Sequence, residues 1–316
     1  YILNKAVIAL ETYMPVLIEQ MEIIATLMII GFLWQKLRLF GSQLIDSLSA
    51  IIAKLILPLM LCTIIGSVSR TQLSEGIRVF LAAAFIYVVT VAAAKFISRF
   101  YHIDEPQKSM LPLLQCYGNS GYIGIPLITS IFPLQAGIVS AAYTLVDAFF
   151  YWVIAPPLAG NIKKISFKKF VSPITVSVFA GFIIMMLNLN LNGNIVWDTM
   201  KNVGGTCKYF ASIYIGMSIG RTGIKKLKNN VSSFSAAPIK LVLIPLFAYL
   251  IIGKTGFLSG NHLIMFIILC ATPSGMSLPI VADIAGVNSA EYASAGVVGV
   301  SRFARNVVDC ISMVRM

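Results

Sequence analysis

"YGNSGYIGIP" (117–126) lies within a run that is otherwise apolar enough to cross a bilayer. Three glycines, an asparagine, a serine and a proline stand there, where an uninterrupted helix needs helix formers. Proline removes an amide donor and clashes with the preceding turn, and glycine lets the chain leave helical geometry. Freed backbone groups are tolerated at membrane depth only when protein or a water-filled cavity surrounds them. A break of this kind therefore marks a protected place inside a membrane protein.

The composition supports that setting. Of the 316 residues, 58% are hydrophobic and only 11% charged, and the mean hydropathy is +0.87. Soluble domains carry about 25% charged residues, so this chain has too few polar groups to cover a water-facing surface. Apolar segments recur to the end, unlike the single short one of a signal peptide. A spanning helix needs about 20 mostly apolar residues. That criterion predicts an all-α polytopic membrane protein with ten transmembrane helices, over 14–34, 46–68, 77–98, 109–131, 135–158, 173–190, 196–220, 236–252, 261–283 and 288–312. Residues 1–316 are expected to form a single membrane transport domain.

Basic residues orient these segments. Lys36 and Arg38, Lys95, Arg99 and Lys108, Lys163, Lys164, Lys168 and Lys169, and Arg221, Lys225, Lys226 and Lys228 fall in alternate connections. The positive-inside rule places those connections in the cytoplasm and the N-terminus outside, in a cell (cytoplasmic) membrane. The net charge of +12 is then mostly a topology signal, and no soluble basic face exists to bind nucleic acid. Five scattered cysteines and two histidines lack metal-ligand spacing. No metal, cofactor or enzyme active site is expected, and no Walker loop is present.

A second break lies about 150 residues downstream, in "CATPSGMSLPIVADIAG" (270–286). Each break has Ser-Gly followed by proline, Ser120 to Pro126 and Ser274 to Pro279. The two fall in the fourth and ninth predicted helices, five apart, so the second half should enter the membrane inverted. The expectation is two inverted five-helix repeats, 14–158 and 173–312, each with one interrupted helix, a design known among transporters. Half-helix N-termini suit an anion, and unwound carbonyls suit a cation.

The residues expected to line a substrate are Asn119, Ser120, Gly121, Tyr122, Gly124 and Pro126 from the first break. The second break supplies Thr272, Ser274, Gly275, Ser277 and Pro279. Core hydrogen bonding is the competing explanation for the hydroxyls. Asp147 sits near the centre of the fifth predicted helix, where an ionisable group is by default a functional-site hypothesis. It is a candidate to carry a coupling proton or ligate sodium, against a structural hydrogen bond as the alternative. Lys208, inside the seventh, is either a counter-charge for a carboxylate, a partner for Asp147, or a lysine snorkelling to the interface. Snorkelling is the better reading of Lys54 and Lys240. The aromatic residues are assigned mostly to lipid-facing or interfacial positions.

These stretches carry a family resemblance. "GNSGYIGIPLI" (118–128) and "ATPSGMSLPIVADIAG" (271–286) resemble the signature stretches of the auxin efflux carrier family, in its bacterial branch. "LILPLML" (55–61), "PITVSVFAGFI" (173–183), "IYIGMSIG" (213–220) and "KLVLIPLFAYL" (240–250) support it. The resemblance implies broken helices 4 and 9 that cross, as in sodium/proton antiporters and bile-acid symporters. It also implies elevator-type alternating access. Family substrates are small organic anions: auxin-like acids, or mono- and dicarboxylates such as malate and malonate. Homodimers occur on related folds, although no stretch marks an interface. The charged end, with Arg302, Arg305 and Asp309, departs from the apolar tenth helix of the family.

The reading is therefore a secondary active transporter (permease) of a small organic anion, driven by an ion gradient, with a proton or sodium ion as the candidates, or by the substrate's own gradient. A cation/proton antiporter on the same architecture is the first alternative, weakened by the lack of a second acidic residue near Asp147. A non-transporting membrane receptor or enzyme is the second.

Overall fold

The computed structural model describes residues 19, 22–39, 41, 43–102, 107–160, 171–222, 236–275, 278 and 281. Among these the secondary structure is helical, apart from one isolated backbone bridge. We label the helices α1 (22–36), α2 (Gln43–Gly66), α3 (Arg70–Ser98), α4 (Gln107–Cys116), α5 (Ser120–Ile131) and α6 (136–159). They continue with α7 (Pro173–Met186), α8 (Ile195–Gly205), α9 (Cys207–Thr222), α10 (Ala236–Gly253) and α11 (Gly260–Cys270).

Local chemistry explains the ends. Ser172 and Thr175 form a reciprocal capping box at the start of α7, where Pro173 is tolerated because its missing amide would have no helical partner. The Asn194 side chain accepts from the amides of Val196 and Trp197 to open α8. Past the end of α7, Asn188 adopts φ +51°, a left-handed conformation that asparagine accepts better than most side chains.

Helix α3 shows how an all-apolar helix is sorted. Val79, Ala83, Ile86, Tyr87 and Ala94 are buried, whereas Ile77, Leu81, Phe85 and Val88 form an exposed stripe on the opposite face. In water such a stripe would be a liability; against lipid tails it is the outer surface. Close approach of backbones holds the helices together. A side chain on Gly216 would fall on the carbonyl of Met28, and one on Gly31 on that of Ile213, so α1 and α9 pack through reciprocal glycines, as small residues permit in membranes.

Three described helices are long and apolar enough to cross a membrane: Gln43–Gly66, Arg70–Ser98 and Ala236–Gly253. The chain is thus a multi-pass membrane protein. Ser120–Ile131, Ala136–Phe149, Pro173–Met186 and Gly260–Cys270 are apolar but shorter. This overturns the expected ten transmembrane helices in two inverted five-helix repeats. The physical reason is interruption. The expected span 109–131 divides at Tyr117–Asn119 into α4 and α5, neither near the required length. The span 196–220 divides at Thr206, and 173–190 stops at Met186. The span 261–283 leaves helical geometry after Cys270. Most of the chain beyond Gly275, including 288–312 with Arg302, Arg305 and Asp309, lies outside the described residues.

Gly216→Leu should therefore lower stability by about 3 kcal/mol through overpacking, seen as a drop in the thermal midpoint of the solubilised protein. Gly205→Ala, where an added methyl meets nothing within 4 Å, should leave that midpoint within a degree or two. Equal midpoints for Gly216→Leu and the parent would refute the backbone contact.

Candidate functional site

The two sequence breaks meet. After α4 the chain unwinds, and Gly118 forms an antiparallel bridge with Ser274. The Asn119 amide donates to the Pro273 carbonyl at 2.7 Å, and the Gly275 amide donates to the Tyr117 carbonyl at 3.0 Å. Each break thus satisfies the backbone groups that the other has freed, which an apolar interior demands. Side chains reinforce the joint. The Ser274 hydroxyl donates to the Leu114 carbonyl at 2.6 Å and that of Thr272 to the Leu269 carbonyl at 2.8 Å.

Gly118 and Gly275 are required by proximity. A side chain on Gly118 would run into the Thr272 hydroxyl and come within 3.1 Å of the Lys240 ammonium, and one on Gly275 would lie 2.8 Å from the Tyr151 hydroxyl. Gly124 is likewise pressed against Leu269 and Thr272, and Gly121 against Leu57. Pro126 occupies the first turn of the regular part of α5 (Ile125–Ile131), where proline does no harm.

Beside the joint, Asp147 projects from α6. One carboxylate oxygen accepts from the Tyr87 hydroxyl, and the other accepts from Ser120 at 2.6 Å. Asp147 and Ser120 border a cavity of about 70 Å³, also lined by Gly118, Asn119, Tyr122, Thr144, Tyr151 and Gly275. The side-chain nitrogen of Asn119 and the hydroxyl of Thr144 are buried without a hydrogen-bond partner among the described residues. Buried polar groups normally find one, which makes these two atoms candidates for contact with a ligand. Tyrosines enclose the site: Tyr87 stacks on Phe150 with ring centres 4.9 Å apart, and Tyr117 meets Tyr151 edge-on at 5.4 Å.

A positive charge sits on the other side of Gly118. Lys240 is only 1% exposed, and its ammonium donates to the Cys270 carbonyl at 2.9 Å. That carbonyl ends α11, where a cation is favourable both for the unpaired carbonyls and for the helix dipole. Lys240 and Asp147 lie close enough to interact electrostatically, and a buried charge needs such compensation.

The structure thus gathers Asn119, Ser120, Gly121, Tyr122, Gly275 and Asp147 around one cavity. Thr272 and Ser274 stand at the joint, with their hydroxyl hydrogens committed to backbone carbonyls. Ser277 and Pro279 lie outside the described residues. Lys208 lines a different cavity, together with Pro126. Lys54 is exposed, as a snorkelling lysine should be, whereas Lys240 is not. The snorkelling assignment of Lys240 is therefore corrected, and among the aromatics Tyr87, Tyr117 and Tyr143 are buried. Among the described residues no group of three or more His, Cys, Asp or Glu could hold a metal.

In comparison with known proteins, one family, described as "Membrane transport protein", matches residues 16–158 and 156–304. No curated protein matches the chain.

If Lys240 and Asp147 compensate one another, Lys240→Met should destabilise the protein by about 3 kcal/mol by leaving an unpaired charge. In the Asp147→Asn background the same change should cost clearly less. Thermal or denaturant unfolding of the four proteins in this cycle measures the difference, and equal costs in both backgrounds would show the charges to be independent.

Proposed function

Because the chain belongs to the membrane transport protein family, we propose that it is a secondary active transporter of a small organic anion, a mono- or dicarboxylate or an auxin-like acid. A transport family also agrees with a non-enzymatic role. The observation that carries the proposal is the joint between the two breaks, with an Asn119 side-chain amide that has no partner among the described residues and the half-buried Asp147 beside it. The Asn119 N–H is a donor of the kind that a carboxylate oxygen accepts. A reorganising joint would expose it to each side of the membrane in turn, by an elevator-like movement. The bacterial branch of the auxin efflux carriers, and a cytoplasmic-membrane location with the N-terminus outside, belong to the same proposal.

Asp147 is proposed as the coupling group. A cavity of about 70 Å³ is small beside the roughly 300–1,000 Å³ of ordinary small-molecule pockets. It suits a proton relay, a sodium ion or water better than an organic anion. The same observation favours one second reading, cation/proton exchange at Asp147. Against it, Asp147 is the only acidic residue lining that cavity among the described residues, so no second carboxylate among them shares the cation's charge.

Uptake of labelled malate, malonate and indole-3-acetate into proteoliposomes, with proton and sodium gradients imposed separately, tests the proposal. Gradient-driven flux is expected, and Asp147→Asn should remove the dependence on one gradient while leaving downhill exchange within about tenfold of the parent. Flux of none of these acids, together with sodium–proton exchange that Asp147→Asn abolishes, would replace the anion carrier by the antiporter.

A further inference from the structure

We propose that the larger cavity around Lys208 is a receiving site for a carboxylate anion, separate from the Asp147 site and reached from the face opposite the basic connections. The inference rests on the organic-anion reading of the chain. The cavity measures about 390 Å³ and is walled by α2 (Met60, Thr63, Ser67), α5 and the turn after it (Pro126, Thr129, Ser130, Pro133), α8 (Lys201, Gly205) and α9 (Lys208, Tyr209). That volume lies within the range of ordinary small-molecule pockets, about 300–1,000 Å³.

Its charge has one sign. Lys201 and Lys208 both line it, and among the described residues no acidic one does. The Lys208 ammonium donates to the Ser130 hydroxyl at 3.3 Å and lies 5.0 Å above the Tyr209 ring. That of Lys201 donates to Asn192 at 3.1 Å and lies 5.9 Å from the centre of the Trp197 ring. The Ser130 contact places the Lys208 ammonium at the wall of this cavity, whereas Asn192 and Trp197, the contacts of Lys201, line a neighbouring one. An anion entering beside Lys208 would gain from its charge.

The topology signal does not account for these lysines. The basic clusters occupy the alternate connections, whereas Ser67 and Pro133 lie in the connections after α2 and after α5, which are poor in basic residues, and Lys201 lies within α8. The hydroxyls of Ser67, Thr129 and Ser130 around the cavity have spent their hydrogens elsewhere. Ser67 donates to the Thr63 carbonyl at 2.8 Å, and Thr129 and Ser130 donate to the Pro126 carbonyl at 3.0 and 2.9 Å. The positive charge for anion binding then comes chiefly from Lys208, which also touches α5. That helix links the two cavities, since Ser120 to Ile125 line the small one and Pro126 to Ser130 the large one. An anion held on Lys208 would load onto the same helix that carries Ser120, the donor to Asp147.

Equilibrium binding of labelled malate and malonate to the full solubilised chain, with the KM of uptake into proteoliposomes, tests the site. Lys208→Gln should raise both constants at least about tenfold, whereas Lys208→Arg should stay within about threefold of the parent, since a charge-assisted contact is lost only in the first. Gly205→Leu provides a second route. A side chain there enters the cavity and its first carbon meets nothing within 4 Å, so Gly205→Leu should weaken binding by a similar factor with an unchanged thermal midpoint. Its value therefore decides the matter even if Lys208→Gln fails to fold. Unchanged binding and KM in folded Lys208→Gln and Gly205→Leu, with uptake intact, would overturn the receiving site and leave the carrier standing. Absence of both binding and uptake in the parent would instead defeat the carrier reading, and this inference with it.

Discussion

Everything near the candidate site depends on a backbone constraint. Two stretches of chain leave helical geometry inside an apolar interior, and each supplies the hydrogen-bond partners that the other lacks. The Asn119–Pro273 and Gly275–Tyr117 bonds are ordinary in length, yet they satisfy backbone groups that an apolar interior would otherwise leave unpaired. Gly118 and Gly275 follow from this contact, since side chains would hold the strands apart. So does the position of Lys240: its ammonium fills the space left by Gly118 and caps the carbonyl end of the helix that leads into the second break.

Charge balance is the next layer. A half-buried carboxylate and a fully buried ammonium stand near the joint, and each is provided with polar partners. Asp147 has two hydroxyl donors, and Lys240 has a helix-terminal carbonyl. Such an arrangement is weak evidence for stability, because burying ions opposes folding. It is better understood as a poised element, in which protonation or a bound cation would change the charge balance at the seam between the two breaks. The separate Lys201–Lys208 cavity has the opposite character: it is larger, positively charged, and open to a ligand that brings its own negative charge.

The parts legible in the sequence are those written in residue types that oppose their surroundings. Gly, Asn, Ser and Pro inside apolar runs mark both breaks, and a lone aspartate in "TLVDAFF" (144–150) marks the ionic site. The family signature lies in the same stretches. The number of membrane-spanning helices is not legible in the same way, because hydropathy averages over a break that backbone geometry does not. Residues 109–131 are apolar enough on average to suggest a span, yet they form two short helices. Lys240 escapes sequence reasoning because it falls near the end of an apolar run, and only the fold shows that this end is tucked against Cys270 and Gly118. Tyr87 is hidden for the converse reason. One tyrosine in a long apolar helix is equally at home facing lipid or core, and its partner Asp147 lies sixty residues away.

The wide helical turns carry one further consequence. Phe150–Ile154, just after Asp147, and Ile239–Leu243, which contains Lys240, are π-helical turns. The first begins at a carbonyl that accepts from the Tyr117 hydroxyl. A π-turn amounts to one extra residue absorbed into an α-helix, and such turns are common at functional sites. At 3.6 residues per turn that extra residue swings everything beyond it by roughly 100°. The charged residues and the prolines farther along the same helices, Pro156 and Pro245, are therefore phased against each other by a single-residue insertion at each place. A lineage that lost one residue from either turn would keep its hydropathy and its length almost intact, yet would point its ionic group at a different neighbour.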